Sequence, residues 1–224
     1  HQRQYFFINR LIPGPMKILA VADLHGAQYR LNLVLKNITA HHPDLVVICG
    51  DITQFGPGEL ATNLLNQLPV QTLAVPGNID TFDVDQGIAA SIATNLHRRQ
   101  MIIQGVPFIG IGREIPPHLS DLLIDDGINE KPLKTLLKKN SVLVTHYPPF
   151  KLQDKIFLGT HGGSKELRNL IEASPPRLVL CAHIHEDPGM TGIGQTTVVN
   201  CSMGKRTEGA VIDIDDSVHI KILE

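Results

Sequence analysis

The chain has 224 residues, 42% of them hydrophobic, and a formal net charge of −2. This length and apolar content are enough for one sizeable core, so a single domain is the expected organisation. A charge near zero excludes a global basic field that recruits nucleic acid or a membrane surface, and no apolar run approaches the roughly 18–20 residues of a membrane span.

The first fifteen residues differ from the rest. The chain begins HQRQYFFINRLIPGP, without an initial Met, and a clean strand pattern opens at Met16. The apolar letters YFFI are too few for the apolar core of a signal peptide. We therefore predict that residues 1–15 are a tag remnant or an N-terminal extension, and that residues 16–224 form the single domain.

The first part of the chain alternates between strand and helix patterns. Apolar runs rich in strand-forming residues cover 16–23, 44–51 and 70–78, and apolar residues recur at helical spacing in 27–40 and 58–68. In this order, right-handed crossovers place the strands in a buried parallel sheet whose faces are both covered. The pattern therefore predicts an α/β fold.

The later elements are less regular. They are predicted, in chain order, as a helix at 82–96, two strands around a Gly105 turn at 101–112, a helix at 133–137, a strand at 141–146, a helix at 162–173, a strand at 177–185, and tail strands at 195–200, 209–214 and 217–223. The tail strands are short and separated by turns, which favours antiparallel pairing.

The three cysteines, Cys49, Cys181 and Cys201, have no metal-type or redox-type spacing and lie in or beside apolar runs. We expect them to be small buried side chains in a reducing, cytoplasmic compartment rather than a disulfide framework.

Polar side chains follow five of the predicted strands at the point where each strand ends. An open α/β sheet binds ligands in the crevice beyond the carboxyl ends of its strands, so we expect these side chains to converge. They are Asp23, His25, Asp51, Asn78, His146, His183 and His185. Each alone has an ordinary structural explanation, such as a helix cap, a turn pair or a buried core His. Their joint occurrence favours a site, because a sheet does not need a carboxylate, amide or imidazole at every such end.

This donor set predicts a centre with two metal ions. It has two carboxylates, one amide and four imidazoles but no thiolate, a mixture that suits Mn²⁺, Fe, Co²⁺, Ni²⁺ or Zn²⁺, with Mn²⁺ favoured. Two dications, two carboxylates and a bridging hydroxide leave a charge of about +1, which attracts a phosphate anion. Paired ions hold both the nucleophile and a phosphoryl oxygen, and Asp51 is the better placed carboxylate to bridge them.

The blocks DLH, GD, GN, H and AHIH resemble, in order and approximate spacing, those of the calcineurin-like metallophosphoesterases. The similarity runs from residue 16 to the C-terminus, and its later part is similar to the compact prokaryotic members. The resemblance implies a four-layer α/β/β/α sandwich of two packed mixed sheets flanked by helices. It also implies hydrolysis of phosphoric esters by a hydroxide that bridges the two ions. The implied ligands are Asp23, His25 and His185 at one ion, Asn78, His146 and His183 at the other, and Asp51 between them.

Two positions depart from the family pattern. Ala182 stands where the family has Gly in its last block, a small-for-small change. Ile79 stands where many members have a His that contacts phosphate and protonates the leaving group, and Ile cannot carry a proton. General acid help is worth roughly 10²–10⁴-fold in rate, so its loss should hurt poor leaving groups most. Compact prokaryotic members often lack this His, and some remain metal-dependent phosphodiesterases.

His161 is a candidate replacement for that acid. It precedes Gly162-Gly163 and a predicted helix start, and a helix start is a natural anion site. It therefore either contacts the substrate phosphate or protonates the leaving group, and the alternative is a solvent-exposed loop His. Lys165 assists there or solvates the helix, and Arg113 is expected to be a surface residue rather than a phosphate contact.

The leading hypothesis is a phosphodiesterase in which Asp51, Asn78 and His161 are the catalytic residues. The second is a phosphomonoesterase or nucleotidase that uses the same site. The third is a non-catalytic, protein-binding scaffold of the same fold, for which Ile79 is the best support. The expected partner is a small phosphate-ester substrate rather than nucleic acid or a membrane, and the oligomeric state is left open, with a homo-oligomer as one alternative.

Overall fold

The computed structural model describes residues 14–204 and 206–224. The expectation that residues 1–15 are a tag or an extension falls almost entirely outside the described residues, and the domain boundary at residue 16 stays a prediction. Within the described part of the chain, none of the helices is both long enough and apolar enough to cross a bilayer.

Strands and helices alternate through much of the described chain. The helices are α1 (Gln28–His41), α2 (Gly58–Leu65), α3 (Asp83–Ala90), α4 (Leu133–Leu136) and α5 (Lys165–Ala173). The strands are β1 (Met16–Val21), β2 (Leu45–Cys49), β3 (Thr72–Val75), β4 (Thr94–Asn95), β5 (Gln100–Ile103), β6 (Val106–Ile111), β7 (Leu123–Asp125), β8 (Glu130–Pro132), β9 (Val142–Thr145), β10 (Leu178–Cys181), β11 (Gly189–Ile193), β12 (Thr196–Asn200), β13 (Gly209–Ile214) and β14 (Val218–Leu223).

The strands form two large mixed sheets and one small hairpin. The first sheet has the order β14-β13-β1-β2-β3-β4. Strands β1 to β4 are parallel, and β13 is antiparallel to both of its neighbours, β1 and β14. The second has the order β11-β12-β10-β9-β6-β5, with parallel strands in the middle and antiparallel strands at both edges. The α/β class and the parallel arrangement of the first three strands are therefore confirmed.

The predicted elements differ from the structure in several details. The helix predicted at 82–96 ends at Ala90, because Ser91 takes an extended conformation and Thr94–Asn95 then pair with β3. The tail strands pair antiparallel as expected, β12 with β11 and β13 with β14, but β12 also pairs parallel with β10. The segment GMTGI of β11 was missed because two glycines interrupt its strand pattern.

Three apolar clusters define four layers. Alternate residues of the central strands face opposite ways, so Ile18 packs between the sheets while Leu19 packs under the helices. One cluster joins the facing sides of the two sheets, a second joins the first sheet to α1, α2 and α3, and a third joins the second sheet to α4 and α5. The α/β/β/α sandwich implied by the resemblance is thus confirmed.

The sandwich brings the carboxyl ends of strands from both sheets to one place. β1, β2 and β3 run parallel in one sheet and β9 and β10 run parallel in the other. A hydrogen bond of 2.8 Å joins His146 Nδ1, just after β9, to the carbonyl oxygen of Cys49 at the end of β2. The loops that follow these strands therefore meet between the sheets.

Candidate metal centre

The seven donors predicted from the strand ends all lie in this meeting place. Asp23 and His25 follow β1, Asp51 follows β2, and Asn78 follows β3, whereas the remaining three follow β9 and β10 of the other sheet. Donors as far apart in the sequence as Asp23 and His185, 162 positions, thus come into contact, which is why no single segment of the chain contains the site.

One group of donors is formed by Asp23, His25 and His185. Their potential ligand atoms lie within 4.8 Å of one another. His185 Nε2 is 3.3 Å from Asp23 Oδ2, and the ring centres of His25 and His185 are 5.4 Å apart. These three residues are the set that the resemblance implies for one ion.

A second group surrounds His146. Its Nε2 lies 2.8 Å from Asn78 Oδ1 and 3.4 Å from Asp51 Oδ2, and its ring centre is 5.1 Å from that of His183. Donor atoms of Asp23, Asp51 and His146 also lie within 4.8 Å of one another, which joins the two groups. Asp23 belongs to both close groups in this geometry, so the bridging role of Asp51 stays a prediction.

The chemistry of this cluster fits divalent metal ions. Both carboxylate oxygens of Asp23 and Nδ1 of His25 are buried without a hydrogen-bond partner among the described residues. Burying an unpaired polar group costs about 1–3 kcal/mol, more if the group is charged, and metal coordination removes that cost. His146 donates Nδ1–H to the Cys49 carbonyl, which leaves Nε2 as its ligand atom. These orphaned atoms and the fixed tautomer are what a metal site requires.

Charge and burial shift the histidine pKa values in opposite directions. Burial and the positive charge of His146 lower the pKa of His183 to about 4, so its ring is neutral and ready to coordinate. Burial alone would lower the pKa of His146, but the hydrogen bond and charge of Asp51 raise it above its usual value. Burial would raise the pKa of Asp23, yet His185 and His146 bring it below its usual value.

The backbone of the donors is unusual. Asp23, His25, Asp51 and His183 have φ values of 59°, 50°, 51° and 70°, in the left-handed region that few non-glycine residues adopt. Backbone hydrogen bonds hold this conformation: Asp23 N donates to Gly50 O at 3.0 Å, and His25 N donates to Asp51 O at 2.9 Å. Such strain clusters at functional sites and persists where the surroundings enforce it.

Two glycines allow the loops to approach so closely. A Cβ on Gly77 would collide with the carboxylate and backbone nitrogen of Asp51. Gly50 has a φ of 94°, and a Cβ there would lie 2.5 Å from His146 Nδ1. The glycines of the GD and GN blocks are therefore required by packing around the donors, and not only by turn geometry.

Asp80 supports the same loops, and sequence reasoning missed this role. The carboxylate is buried and accepts four hydrogen bonds, from Gly77 N, Ile52 N, Thr53 N and Thr53 Oγ1, at 2.8–3.0 Å. It thereby ties the loop after Asp51 to the loop that carries Asn78. The available signal was an acidic residue two positions after the GN block, although its partners lie 27 and 28 residues away.

Arg113 also belongs to this supporting structure. Its guanidinium contacts the backbone carbonyls of Asp80 and Thr81 and the carboxylate of Asp85, and its side chain is only 15% exposed. The expectation of a surface arginine was wrong, since all these partners come from the loop and helix after Asn78.

Ile79 sits at the edge of the donor cluster. Its backbone N donates to Asp51 Oδ1 at 3.2 Å, so the position still restrains a donor although its side chain is apolar. Its carbonyl accepts from Phe55 N at 3.2 Å, and the Phe55 side chain is 71% exposed. This edge of the centre therefore presents apolar side chains to solvent.

His161 is not part of either donor group. It lines a cavity of about 650 Å³ together with Tyr147, Phe150 and Lys165. The cavity adjoins the donor cluster, because Tyr147 follows His146 and its ring centre is 4.3 Å from that of His183. His161 Nδ1 lies 2.6 Å from Oδ1 of Asp154, a buried residue that sequence reasoning also missed.

Two facing sheets with carboxylate, amide and imidazole donors gathered between their strand ends define a metal-dependent hydrolase. The sequence profile of the calcineurin-like phosphoesterases matches residues 16–187. The chain belongs to this family, and it is a metal-dependent phosphoesterase.

Three known proteins illustrate the similarity. An uncharacterised protein of Methanocaldococcus jannaschii is 34% identical over 197 residues, which cover 84% of this chain and 88% of that protein. The crystal structure of a dimetal phosphatase from Danio rerio superposes with a TM-score of 0.63 at 12% identity, covering 94% of this chain and 96% of the other. A novel archaeal phosphodiesterase superposes with a TM-score of 0.55 at 13% identity, covering 93% of this chain and all of the other. Because these two proteins are only 12% and 13% identical to this chain, the superpositions show that the fold is shared and nothing about activity.

Proposed function

We propose that the protein hydrolyses phosphodiesters with two divalent metal ions, of which Mn²⁺ is the favoured identity. The observation that carries this proposal is a full set of donors with the apolar Ile79 at its edge. The proposed ligands are Asp23, His25 and His185 for one ion, Asn78, His146 and His183 for the other, and Asp51 for both.

The apolar edge favours a diester over a monoester. A monoester dianion needs donors around its additional charged oxygen, whereas a diester has a second organic group in that place. The Ile79 side chain has no donor, and its carbonyl accepts a hydrogen bond from the backbone N–H of Phe55, whose side chain is exposed. These side chains offer contact area to an organic group but no hydrogen bond to an oxyanion.

The chain's own residues orient the reacting groups. When bound, the metal ions supply positive charge and activated water for attack on phosphorus. The Cys49 carbonyl aims Nε2 of His146 into the centre, and the Ile79 N–H restrains the Asp51 carboxylate. Asn78 contributes a neutral oxygen, so it adds a ligand without reducing the charge that attracts the anionic substrate.

Two solved structures lend support. The archaeal protein of the same fold is described as a phosphodiesterase, and the Danio rerio protein is described as a dimetal phosphatase. They support, respectively, the proposed reaction and the proposed number of ions.

The test compares a diester with a monoester. Wild-type protein is freed of metal, reloaded with Mn²⁺, Ni²⁺, Co²⁺ or Zn²⁺, and assayed with bis(4-nitrophenyl) phosphate and 4-nitrophenyl phosphate. We expect faster hydrolysis of the diester, two ions per chain by metal analysis, and loss of activity in Asp51→Asn. The matched control is Asp216→Asn, an exposed carboxylate on the turn between β13 and β14.

Each alternative has its own signature. A strong preference for the monoester would establish the phosphomonoesterase or nucleotidase hypothesis instead. Absence of hydrolysis with every metal, together with fewer than two ions per chain, would favour the protein-binding scaffold. Equal activity of wild type and Asp51→Asn would show that the metal centre takes no part in the hydrolysis.

We further propose a small phosphate ester as the substrate and a cytoplasmic location. The three cysteines are buried and unpaired, which supports a reducing compartment.

A further inference from the structure

Asp154 and His161 lie on the loop between β9 and α5, outside both donor groups. We propose that Asp154 is a positioning residue that holds His161 so that its Nε2 protonates the leaving group. This is the task for which Ile79 offers no side-chain group. The inference rests on the proposed function, because it concerns the departure of the leaving group at the same centre.

The geometry fixes the His161 ring on one side. Nδ1 lies 2.6 Å from Asp154 Oδ1, and the carboxylate has no exposed surface. The other oxygen, Oδ2, accepts from the backbone nitrogens of Lys151 and Gly163, each at 2.9 Å. A carboxylate held by three donors cannot rotate freely, so it keeps the proton on Nδ1 of His161 and leaves Nε2 as the free ring nitrogen.

His161, whose Nε2 is the free nitrogen, lines a cavity. The His161 side chain is 26% exposed, and it lines the cavity that Tyr147 connects to the donor cluster. The Phe150 ring packs edge-on against the His161 ring, with centres 5.6 Å apart, which further restricts its rotation. Under the proposal, this cavity holds the leaving group of a substrate whose phosphate lies at the metal centre.

The proton transfer balances without another reactant. The form of His161 that acts as the acid carries two ring protons: Nδ1–H is donated to Asp154, and Nε2–H is directed at the leaving oxygen. As the attacking water oxygen bonds to phosphorus, it gives up a proton to solvent. The bond from phosphorus to the leaving oxygen breaks, and its electron pair stays on that oxygen. The oxygen takes the Nε2 proton, His161 becomes neutral, and it regains a proton from solvent.

A purely structural role is the competing explanation for Asp154. Its bonds to Lys151 and Gly163 close the loop that leads into α5, so its removal could weaken folding alone. The test must therefore use a readout that loop stability does not change. Dependence on the leaving group supplies this readout, because an acid matters more when the departing oxygen is more basic.

The experiment compares two diesters in Mn²⁺-loaded protein. Bis(4-nitrophenyl) phosphate releases a weakly basic phenoxide, and diphenyl phosphate releases a more basic one. We expect His161→Asn to lower kcat for diphenyl phosphate about 10²–10³-fold and for the nitrophenyl ester less than about tenfold. Metal content should not change. His219→Asn, on the exposed face of β14, is the matched control and should leave both rates unchanged.

Asp154→Asn separates positioning from folding. It preserves an oxygen that can accept from Lys151 and Gly163 but removes the negative charge beside His161 Nδ1. We expect the same leaving-group dependence in weaker form. The double variant with His161→Asn should be no slower than His161→Asn alone.

Three outcomes would overturn the proposal. They are equal loss on both diesters in His161→Asn, unchanged leaving-group dependence in Asp154→Asn, and additive losses in the double variant. Failure of the proposed function is distinguishable, because wild-type protein would then hydrolyse neither diester at a useful rate. Hydrolysis by wild type with an unaffected His161→Asn would refute only the role of this pair.

Discussion

Asp80 is expected to hold the two metal-binding loops in register, and Asp80→Asn tests this. In the wild type, Oδ1 accepts from Thr53 N and Oγ1, and Oδ2 accepts from Gly77 N and Ile52 N. The least costly Asn orientation keeps its oxygen at the Oδ2 position and points its amide at Thr53. The Thr53 hydroxyl then changes from donor to acceptor, but the Thr53 N–H loses its partner.

The expected cost follows from this single orphaned donor. One buried N–H without a partner costs about 1–3 kcal/mol in the free energy of unfolding. In a protein of this size, each kcal/mol corresponds to about 2–4 °C in Tm. Asp80→Ala leaves four donors without an acceptor, so its cost should be at least about twice that of Asp80→Asn.

Urea unfolding of the metal-free variants measures these differences, with an unchanged m-value as the check that the unfolded state is unaffected. Mn²⁺ titration calorimetry of the folded variants should show affinity about 10–100-fold weaker, the usual effect of removing a group that supports metal ligands. Asp216→Asn should change stability by less than about 0.5 kcal/mol. The reasoning is refuted if Asp80→Asn matches wild type, or if Asp80→Ala is no worse than Asp80→Asn.

Three further predictions concern packing and protonation. Gly77→Ala should abolish high-affinity Mn²⁺ binding, because its Cβ collides with a donor carboxylate; calorimetry checks this, and unchanged affinity would contradict the collision. Burial lowers the pKa of His97, so the unfolded chain takes up a proton first as pH falls below 6.5 and stability declines; His97→Asn should reduce the loss of unfolding free energy between about pH 7.5 and pH 5.5 measured in urea. Burial raises the pKa of the Cys49 and Cys181 thiols, and Cys201 is also buried, so none should react with a thiol reagent until urea unfolds the protein; rapid labelling of native protein would contradict this.

The position of the donors was predictable because it depends on a rule about strand ends. Asp23, Asp51 and Asn78 each directly follow, or nearly follow, an apolar run that periodicity assigns to a parallel strand. Parallel strands end at the same edge of a sheet, so the meeting of these side chains follows without any knowledge of distances. The layered fold was predictable in the same way, because continuous apolar runs must be covered on both faces.

The supporting residues were not predictable by that route. Asp80 is bonded to Ile52 and Thr53, and Asp154 to His161, through contacts that no helical or strand period relates. An isolated Asp in a loop has the same appearance whether it faces solvent or accepts four hydrogen bonds. The distinction depends on how the loops fold over the sheet ends, and only the three-dimensional structure contains that information.

Under the proposed function, the two sheets contribute different groups to the reaction because their loops face different environments. The loops after β2 and β3 are held together by the hydrogen bonds of Asp80 and by the close approach of Gly77 to Asp51. The conformation of these loops therefore does not depend on a side-chain proton donor at position 79. The loop after β9 instead borders an open cavity and holds His161 against Asp154. An acid placed there approaches the leaving group from the second sheet, while Ile79 leaves the first sheet's edge apolar for the remaining ester group. Under the proposed function, the loss of a proton donor at one edge and its presence at the other are therefore parts of one arrangement suited to a diester.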